Sequence, residues 1–313
     1  MDWKGKRVFI TGAFGFVGKN LAMSLIEKEA NVYLLRRDEE PVSRSFFSKF
    51  ATVVTGDITD LDLMKRIITG YEIDYVFHLA AQPIVDIAVQ NPLETFQSNI
   101  LGTANVLEAC RLRPVKAVVI ASSEKAYGTG KIPYKETYPL QGTAPYDVSK
   151  SCADLIAQTY FKTYAVPVVI TRCANIYGPQ DYNFSRLVPD AIRCAVKGNT
   201  LEMRSDGNFI RDFIYVKEVV NAYLLCAEKV DKAKGQAYNF GTGEKFRVID
   251  VVNMVFKIVG NKKASIKILN TAKHEIKDQY LDASKAKKEL GWKPKYSMDD
   301  ALKETIEWYK AIL

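Results

Sequence analysis

The stretch that most restricts how this chain can fold lies at its start. An apolar run over 6–11 leads into Gly12-Ala13-Phe14-Gly15-Phe16-Val17-Gly18, after which Leu21, Leu25 and Ile26 recur at helical spacing. That order is a strand, a tight turn and a helix. Glycines three apart let the backbone bend sharply and approach a pyrophosphate, whose charge is met by the free N–H groups of the helix N-terminus. The spacing differs from the more familiar G-x-G-x-x-G, yet its position between the first strand and the first helix points to a dinucleotide. Phe14, Phe16 and Val17 share the turn and join the three glycines as candidate cofactor contacts.

Further apolar segments at 32–35, 53–58, 75–82, 117–121 and 166–171 read as strands separated by helical patterns. The expected fold is therefore α/β, a doubly wound parallel sheet with a smaller, interleaved substrate-binding lobe. Residues 1–172 are expected to form the dinucleotide-binding domain, with 209–238 returning to it. Residues 173–208 and 239–313 are expected to form the lobe.

Ligands of such sheets gather at the carboxyl ends of the strands. The second strand ends in Arg36-Arg37-Asp38. An acidic residue there suits the ribose hydroxyls of NAD and arginine suits the extra phosphate of NADP, so both remain open and the arginines tilt the balance to NADP. Asp57, beside Ile58, either accepts from the adenine amine or caps the following helix. Leu79-Ala80-Ala81-Gln82 ends the fourth strand in mostly small residues that let a cofactor lie close, while His78 reads as a core residue. Asn99, in a helix expected over 92–112, is expected to face inward and is a further candidate cofactor contact.

The second chemical centre is Tyr146 and Lys150, four residues apart after Pro145. Proline suits a first helical turn, and Val148, Cys152, Leu155, Ile156 and Tyr160 recur at helical spacing, so a helix of about five turns with that stripe buried is expected. A cation one turn from a phenol favours the phenolate, so Lys150 is expected to lower the Tyr146 pKa from its reference of about 10 and fit it for proton transfer.

Composition excludes several other chemistries. The chain has 313 residues, and its net charge of +8 comes from basic residues interspersed with acidic ones, which points to an anionic small molecule and away from nucleic acid. Five cysteines without a Cys-x-x-Cys pair argue against a disulfide framework or zinc site, and two histidines against a multi-histidine metal site or a serine-histidine triad. No apolar run is long enough to span a membrane and no signal-peptide core precedes the first strand, so a cytoplasmic location without metal or membrane is expected.

The glycine triplet, Ser123, the Tyr146/Lys150 pair, Asn175 and Arg211-Asp212-Phe213 together resemble the extended short-chain dehydrogenase/reductase family acting on nucleotide sugars. The resemblance covers nearly the whole chain. His78-Leu79-Ala80-Ala81-Gln82-Pro83, Ser123-Glu124-Lys125, Tyr146-Asp147-Val148-Ser149-Lys150 and the tail from His274-Glu275 through Leu290-Gly291-Trp292 most resemble the CDP-glucose and GDP-mannose 4,6-dehydratases, with 4-epimerases as near relatives.

The resemblance implies that Tyr146 takes the proton of a sugar 4-hydroxyl, that Lys150 tunes it and holds the nicotinamide ribose, and that Ser123 hydrogen-bonds the same hydroxyl. For dehydration it implies Glu124 as proton donor to O6 and Lys125 as base at C5, a role that requires its pKa to fall far below about 10.4. Gln82 is a further candidate substrate contact. Asn175 and Arg211 correspond to diphosphate ligands, Glu275 to a nucleoside-ribose contact, and Arg186 and Arg204 to further anion contacts. The implied substrate is a nucleoside-diphosphate hexose, the cofactor a bound, recycled NAD or NADP, and the assembly a homodimer formed through the helices near 92–112 and 146–164. A 4-epimerase is the alternative, followed by a 4-ketoreductase and by a cofactor-binding regulator without catalysis.

Overall fold

The computed structural model describes residues 1–37, 47–271 and 276–313. Seven strands form the main sheet: β1 (Arg7–Thr11), β2 (Asn31–Arg36), β3 (Thr52–Thr55), β4 (Tyr75–His78), β5 (Ala117–Ala121), β6 (Val168–Cys173) and β7 (Ala237–Phe240). Their order is β7-β6-β5-β4-β1-β2-β3 and every pairing is parallel. Central strands such as β5 (AVVIA) and β6 (VVITRC) are near-continuous apolar runs because helices cover both faces. Helices Phe16–Glu27 and Val216–Glu228 cover one face. Helices Leu61–Gly70, Gly102–Leu112 and Pro145–Tyr164 cover the other. The chain order reverses between β1 and β4, which opens a crevice beyond the carboxyl ends of the strands.

The lobe has its own core, in which helices Leu187–Lys197, Val248–Val259 and Met298–Lys310 pack together. Residues 209–238 return to the sheet only in part. Phe213–Tyr215 pairs with Asn175–Tyr177 in a separate two-stranded sheet, so the return begins with helix Val216–Glu228 and is completed by β7, which extends to Phe240. The long helix expected over 92–112 is one helical run with a widened turn at Gln97–Leu101.

The helix carrying Tyr146 runs Pro145–Tyr164, but it buries a different face from the expected one. Asp147, Ser149, Lys150, Ser151, Ala153, Asp154 and Ala157 are buried, whereas Val148, Cys152, Ile156 and Tyr160 are only partly covered and Leu155 is exposed. The sheet side of this helix carries the polar groups of the site; of the apolar stripe, Ile156 and Tyr160 pack against the sheet core while Leu155 is exposed.

Candidate active site

The glycine turn brings β1 against the end of β4. Gly12 has φ +67°, and a Cβ there would lie 2.6 Å from the Ala80 backbone nitrogen, so no side chain fits. Gly15 differs: a Cβ would meet only the Gly12 carbonyl oxygen, at 3.3 Å, so protein packing alone does not demand a glycine there. What it leaves clear is the entrance to helix Phe16–Glu27, whose N-terminus has no side-chain cap and faces the crevice. Uncapped N–H groups beneath an open backbone fit a pyrophosphate.

The ends of β2 and β3 add a buried cation. Arg36 is 6% exposed and donates from Nη2 to Thr55 Oγ1 at 2.8 Å, while its Nε and Nη1 are buried without a partner. Asp57 does not cap the next helix; its Oδ1 accepts from the Thr59 N–H and hydroxyl, both at 2.8 Å, and Asp60 is the cap. Asp38 and Glu275 lie outside the described residues.

His78 is a core residue, bonded to Thr11 Oγ1 at 2.7 Å and Thr103 Oγ1 at 2.9 Å, with burial pushing its pKa down to about 3. Asn99 faces inward as expected, yet it does not line the crevice. Its Oδ1 accepts from the Gln82 N–H at 2.7 Å, and its Nδ2 donates to the Gln82 carbonyl at 3.1 Å and to Ser149 Oγ at 2.9 Å. With its amide committed, Asn99 acts by tying the end of β4 to the Tyr146 helix.

Every other described candidate lines one cavity of about 1400 Å³. That exceeds the roughly 300–1,000 Å³ of a single small-molecule site and leaves room for two ligands end to end. Lys150 is buried there and donates from Nζ to the Ala121 carbonyl at 2.8 Å, with burial lowering its pKa to about 8. The Tyr146 phenol is raised to about 12 by burial, opposed by its hydrogen bond with the Ser123 hydroxyl and by the Arg186 guanidinium. This corrects the expectation of a lowered value: Lys150 is not among the main influences, because its ammonium is turned to the backbone of β5.

Ser123 caps a short 3₁₀ turn, Glu124–Tyr127, that folds Glu124 inward. Glu124 is 2% exposed; its Oε1 accepts from Asn175 Nδ2 at 2.9 Å and its Oε2 is buried without a partner. Burial, reinforced by the Asp212 carboxylate, raises its pKa to about 8, so Glu124 carries a proton at neutral pH. The turn rests on a buried network in which Arg172 grips Asp154 bidentately at 2.8 and 2.9 Å, Asp154 accepts from the Ser122 hydroxyl at 2.8 Å, and Arg172 donates to the Tyr127 hydroxyl at 2.8 Å. Lys125 donates from Nζ to Gln279 Oε1, and its charge favours the ionised forms of Glu124 and Asp147.

The expected anion contacts differ among themselves. Asn175 gives its Nδ2 hydrogens to Glu124 and, at 3.2 Å, to the Asp212 carbonyl, and its backbone N–H to that carbonyl at 3.1 Å, so as placed it has no N–H left for a diphosphate. Arg211 is buried at the cavity wall, donating to the Ile210 and Lys277 carbonyls. Arg186 bonds Asp181 at 3.0 Å beside Tyr146, and Arg204 reaches across the cavity mouth to Asp86 at 3.2 Å. Sequence reasoning passed over Gln279, for which no local signal exists, and Asp212, which it met only inside a motif.

A parallel sheet with an open glycine turn, a tyrosine and lysine one turn apart at its rim and a lobe closing over them defines the extended short-chain dehydrogenase/reductase class. The model of the GDP-mannose 4,6 dehydratase family matches residues 9–305, and the chain belongs to that family of enzymes. Among relatives, a trifunctional UDP-glucose 4,6-dehydratase/3,5-epimerase/reductase of Arabidopsis thaliana is 31% identical over 98% of this chain; the chain spans only 47% of its length. CDP-glucose 4,6-dehydratase of Salmonella typhimurium is 30% identical, covering 99% of this chain and 92% of the relative.

Solved structures agree on the architecture. UDP-glucose 4-epimerase of Thermotoga maritima, with UDP-glucose, superposes with TM-score 0.91 at 30% identity over 97% of this chain and 99% of that one. dTDP-glucose 4,6-dehydratase of Bacillus anthracis, in complex with NAD, superposes with TM-score 0.87 at 26% identity, covering 98% of this chain and 97% of that one. Among the described residues no helix is long and apolar enough to cross a membrane.

Proposed function

We propose that the chain is a nucleoside-diphosphate-hexose 4,6-dehydratase. The observation that carries this reading is Glu124, a carboxyl kept protonated by burial at the rim where Tyr146 and Lys150 stand. An oxidoreductase or epimerase needs no such acid; an elimination does. The glycine turn, the uncapped helix and Lys150 fit a nicotinamide dinucleotide, which when bound would supply a reversible hydride acceptor for the sugar.

The chain's own residues move the protons. Tyr146 takes the proton of the 4-hydroxyl, with Ser123 and Arg186 acting to lower its pKa and Lys150 holding the ribose. Oxidation at C4 acidifies the C5 proton. Its removal and the departure of the 6-hydroxyl, protonated by Glu124, release one water, and the base gives the proton back to C5 once C6 is reduced. Lys125 is the candidate base at C5, and in that role its nitrogen must leave Gln279 and shed its proton. Arg186, Arg204 and Arg211 offer the positive charge that a diphosphate requires, and Gln82 and Ser123 face the sugar.

The Arg36 guanidinium at the end of β2, with only Nη2 engaged by a neutral partner, favours NADP over NAD, since a 2′-phosphate would supply the anion it lacks. Val89, Leu93 and Leu101, with Leu155 and Tyr164 on the neighbouring helix, are exposed, Leu93 at 69%, and a second copy of the chain would cover them.

The similarity to a 4-epimerase structure at TM-score 0.91 keeps one rival in view. Incubation with CDP-, GDP-, dTDP- and UDP-hexoses and detection by mass spectrometry decides between them. Loss of one water supports dehydration. An unchanged mass with a new isomer means epimerisation.

A further inference from the structure

Asp212 is fully buried, does not line the cavity, and yet is joined to Glu124 through a single side chain. Asn175 Nδ2 donates to Glu124 Oε1 at 2.9 Å and to the Asp212 carbonyl at 3.2 Å, and the parallel pairing of Asn175–Tyr177 with Phe213–Tyr215 fixes that geometry. The Asp212 carboxyl is itself pinned, accepting at Oδ1 from the Thr242 N–H at 3.1 Å and hydroxyl at 2.9 Å. A Cβ on Gly241 would stand 2.2 Å from Oδ2, so the neighbouring chain closes over the carboxyl. Two carboxyls so enclosed resist ionising together.

We infer that Asp212 is a positioning residue for the dehydration: its backbone anchors the Asn175 clamp that aims Glu124, and its buried carboxylate keeps Glu124 proton-bearing. The inference rests on the dehydratase reading above. Other groups facing Glu124 do not duplicate this function. Lys125 and Arg211 are cations that favour its ionised form, and the Asn175 hydrogen bond acts in the same direction. Tyr134, Tyr146 and Cys173, which also face it, are all raised by burial and stay neutral at physiological pH. Asp147 shares Lys125 with it. Asp212 alone among these acts on Glu124 as a negative charge, its own pKa lifted only to about 6, so it is ionised where Glu124 is not.

Neutralising Asp212 removes the repulsion that opposes Glu124 ionisation, so Glu124 gives up its proton at lower pH and the elimination loses its acid sooner as pH rises. Deleting the Asn175 amide removes a bond that favours the charged form, so the limb moves the other way.

The test is single-turnover elimination against pH with whichever of the CDP-, GDP-, dTDP- and UDP-hexoses loses water, alongside hydride transfer monitored by reduced-nicotinamide absorbance. Asp212→Asn is expected to shift the alkaline limb of elimination down by about one pH unit, with hydride transfer unchanged and Asp212→Glu restoring the limb. Asn175→Ala is expected to shift it up. A folded Asp212→Asn chain whose limb coincides with wild type overturns the inference. Should that variant not fold, Asp212→Ser keeps an acceptor for Thr242 and carries the same expectation, and an unmoved limb in Asn175→Ala overturns it independently. A wild-type chain that dehydrates none of the four substrates sinks the dehydratase reading instead, so the two failures are distinguishable.

Discussion

Replacing Glu124 by glutamine should move rate and stability in opposite directions. Burial lifts this carboxyl from its ordinary 4.5 to about 8. The unfolded chain therefore releases the proton above the lower value while the folded chain holds it to the higher one. Between them the folded state loses stability at about 1.36 kcal/mol per pH unit. By pH 7 the accumulated loss is about 3 kcal/mol, and glutamine, with no proton to release, escapes it. For a chain of this length that corresponds to about 5 °C in Tm. Asn175 can still donate to the glutamine oxygen, so the clamp survives the change. Denaturant unfolding of wild type and Glu124→Gln at pH 5, 7 and 8 should show a gap that is small at the first and widens steadily. Elimination should meanwhile fall by roughly 10²- to 10⁴-fold, with the transient of reduced nicotinamide persisting. A gap that does not widen with pH would mean that the folded chain ionises Glu124 at neutrality, and the proton-donor assignment would go with it.

Tyr146→Phe should lower turnover by roughly 10²- to 10⁴-fold without weakening dinucleotide binding by calorimetry; near-normal turnover would place the C4 base elsewhere. Asp154→Asn strands the buried Arg172 cation and should destabilise the chain by about 3–5 kcal/mol in urea unfolding, and a loss below about 1 kcal/mol would show the pair is dispensable. Arg36→Gln should weaken NADP about 10- to 100-fold, in keeping with the roughly 1.5–3 kcal/mol of a charge-assisted hydrogen bond, while sparing NAD; equal losses for both would refute the phosphate assignment. Leu93→Asp combined with Leu101→Asp should halve the mass seen by light scattering, whereas a wild-type chain that is already monomeric contradicts the proposed dimer.

The sheet and the position of the crevice were legible because their causes are local: buried parallel strands are apolar runs, and the glycine turn announces itself by spacing. Tyr146 and Lys150 were legible for the same reason. What each side chain does was harder to read. Lys150 spends its ammonium on the Ala121 carbonyl, and Asn175 gives its amide to Glu124, 51 residues away, partners that no window of sequence contains. Burial was the other blind spot. A Glu-Lys pair next to a serine looks like a solvated loop, and only the 3₁₀ turn above the Arg172–Asp154 network turns Glu124 inward. The apolar stripe of the Tyr146 helix misled in part: Ile156 and Tyr160 do pack on the sheet core, but periodicity does not say how much of a face the chain's own core will cover, and Leu155 stays exposed.

The groups around the cavity divide by provenance. Tyr146 and Lys150 stand on a helix packed on the sheet and Ser123 just after β5, whereas the partners that set Glu124 and Lys125 to work, Asn175, Asp212 and Gln279, come from the chain beyond β6. On the dehydratase reading, the acid and base share a turn with Ser123, but the side chains that position them come from another part of the chain. Substitutions there are expected to alter the fate of the oxidised sugar while leaving the oxidation itself in place.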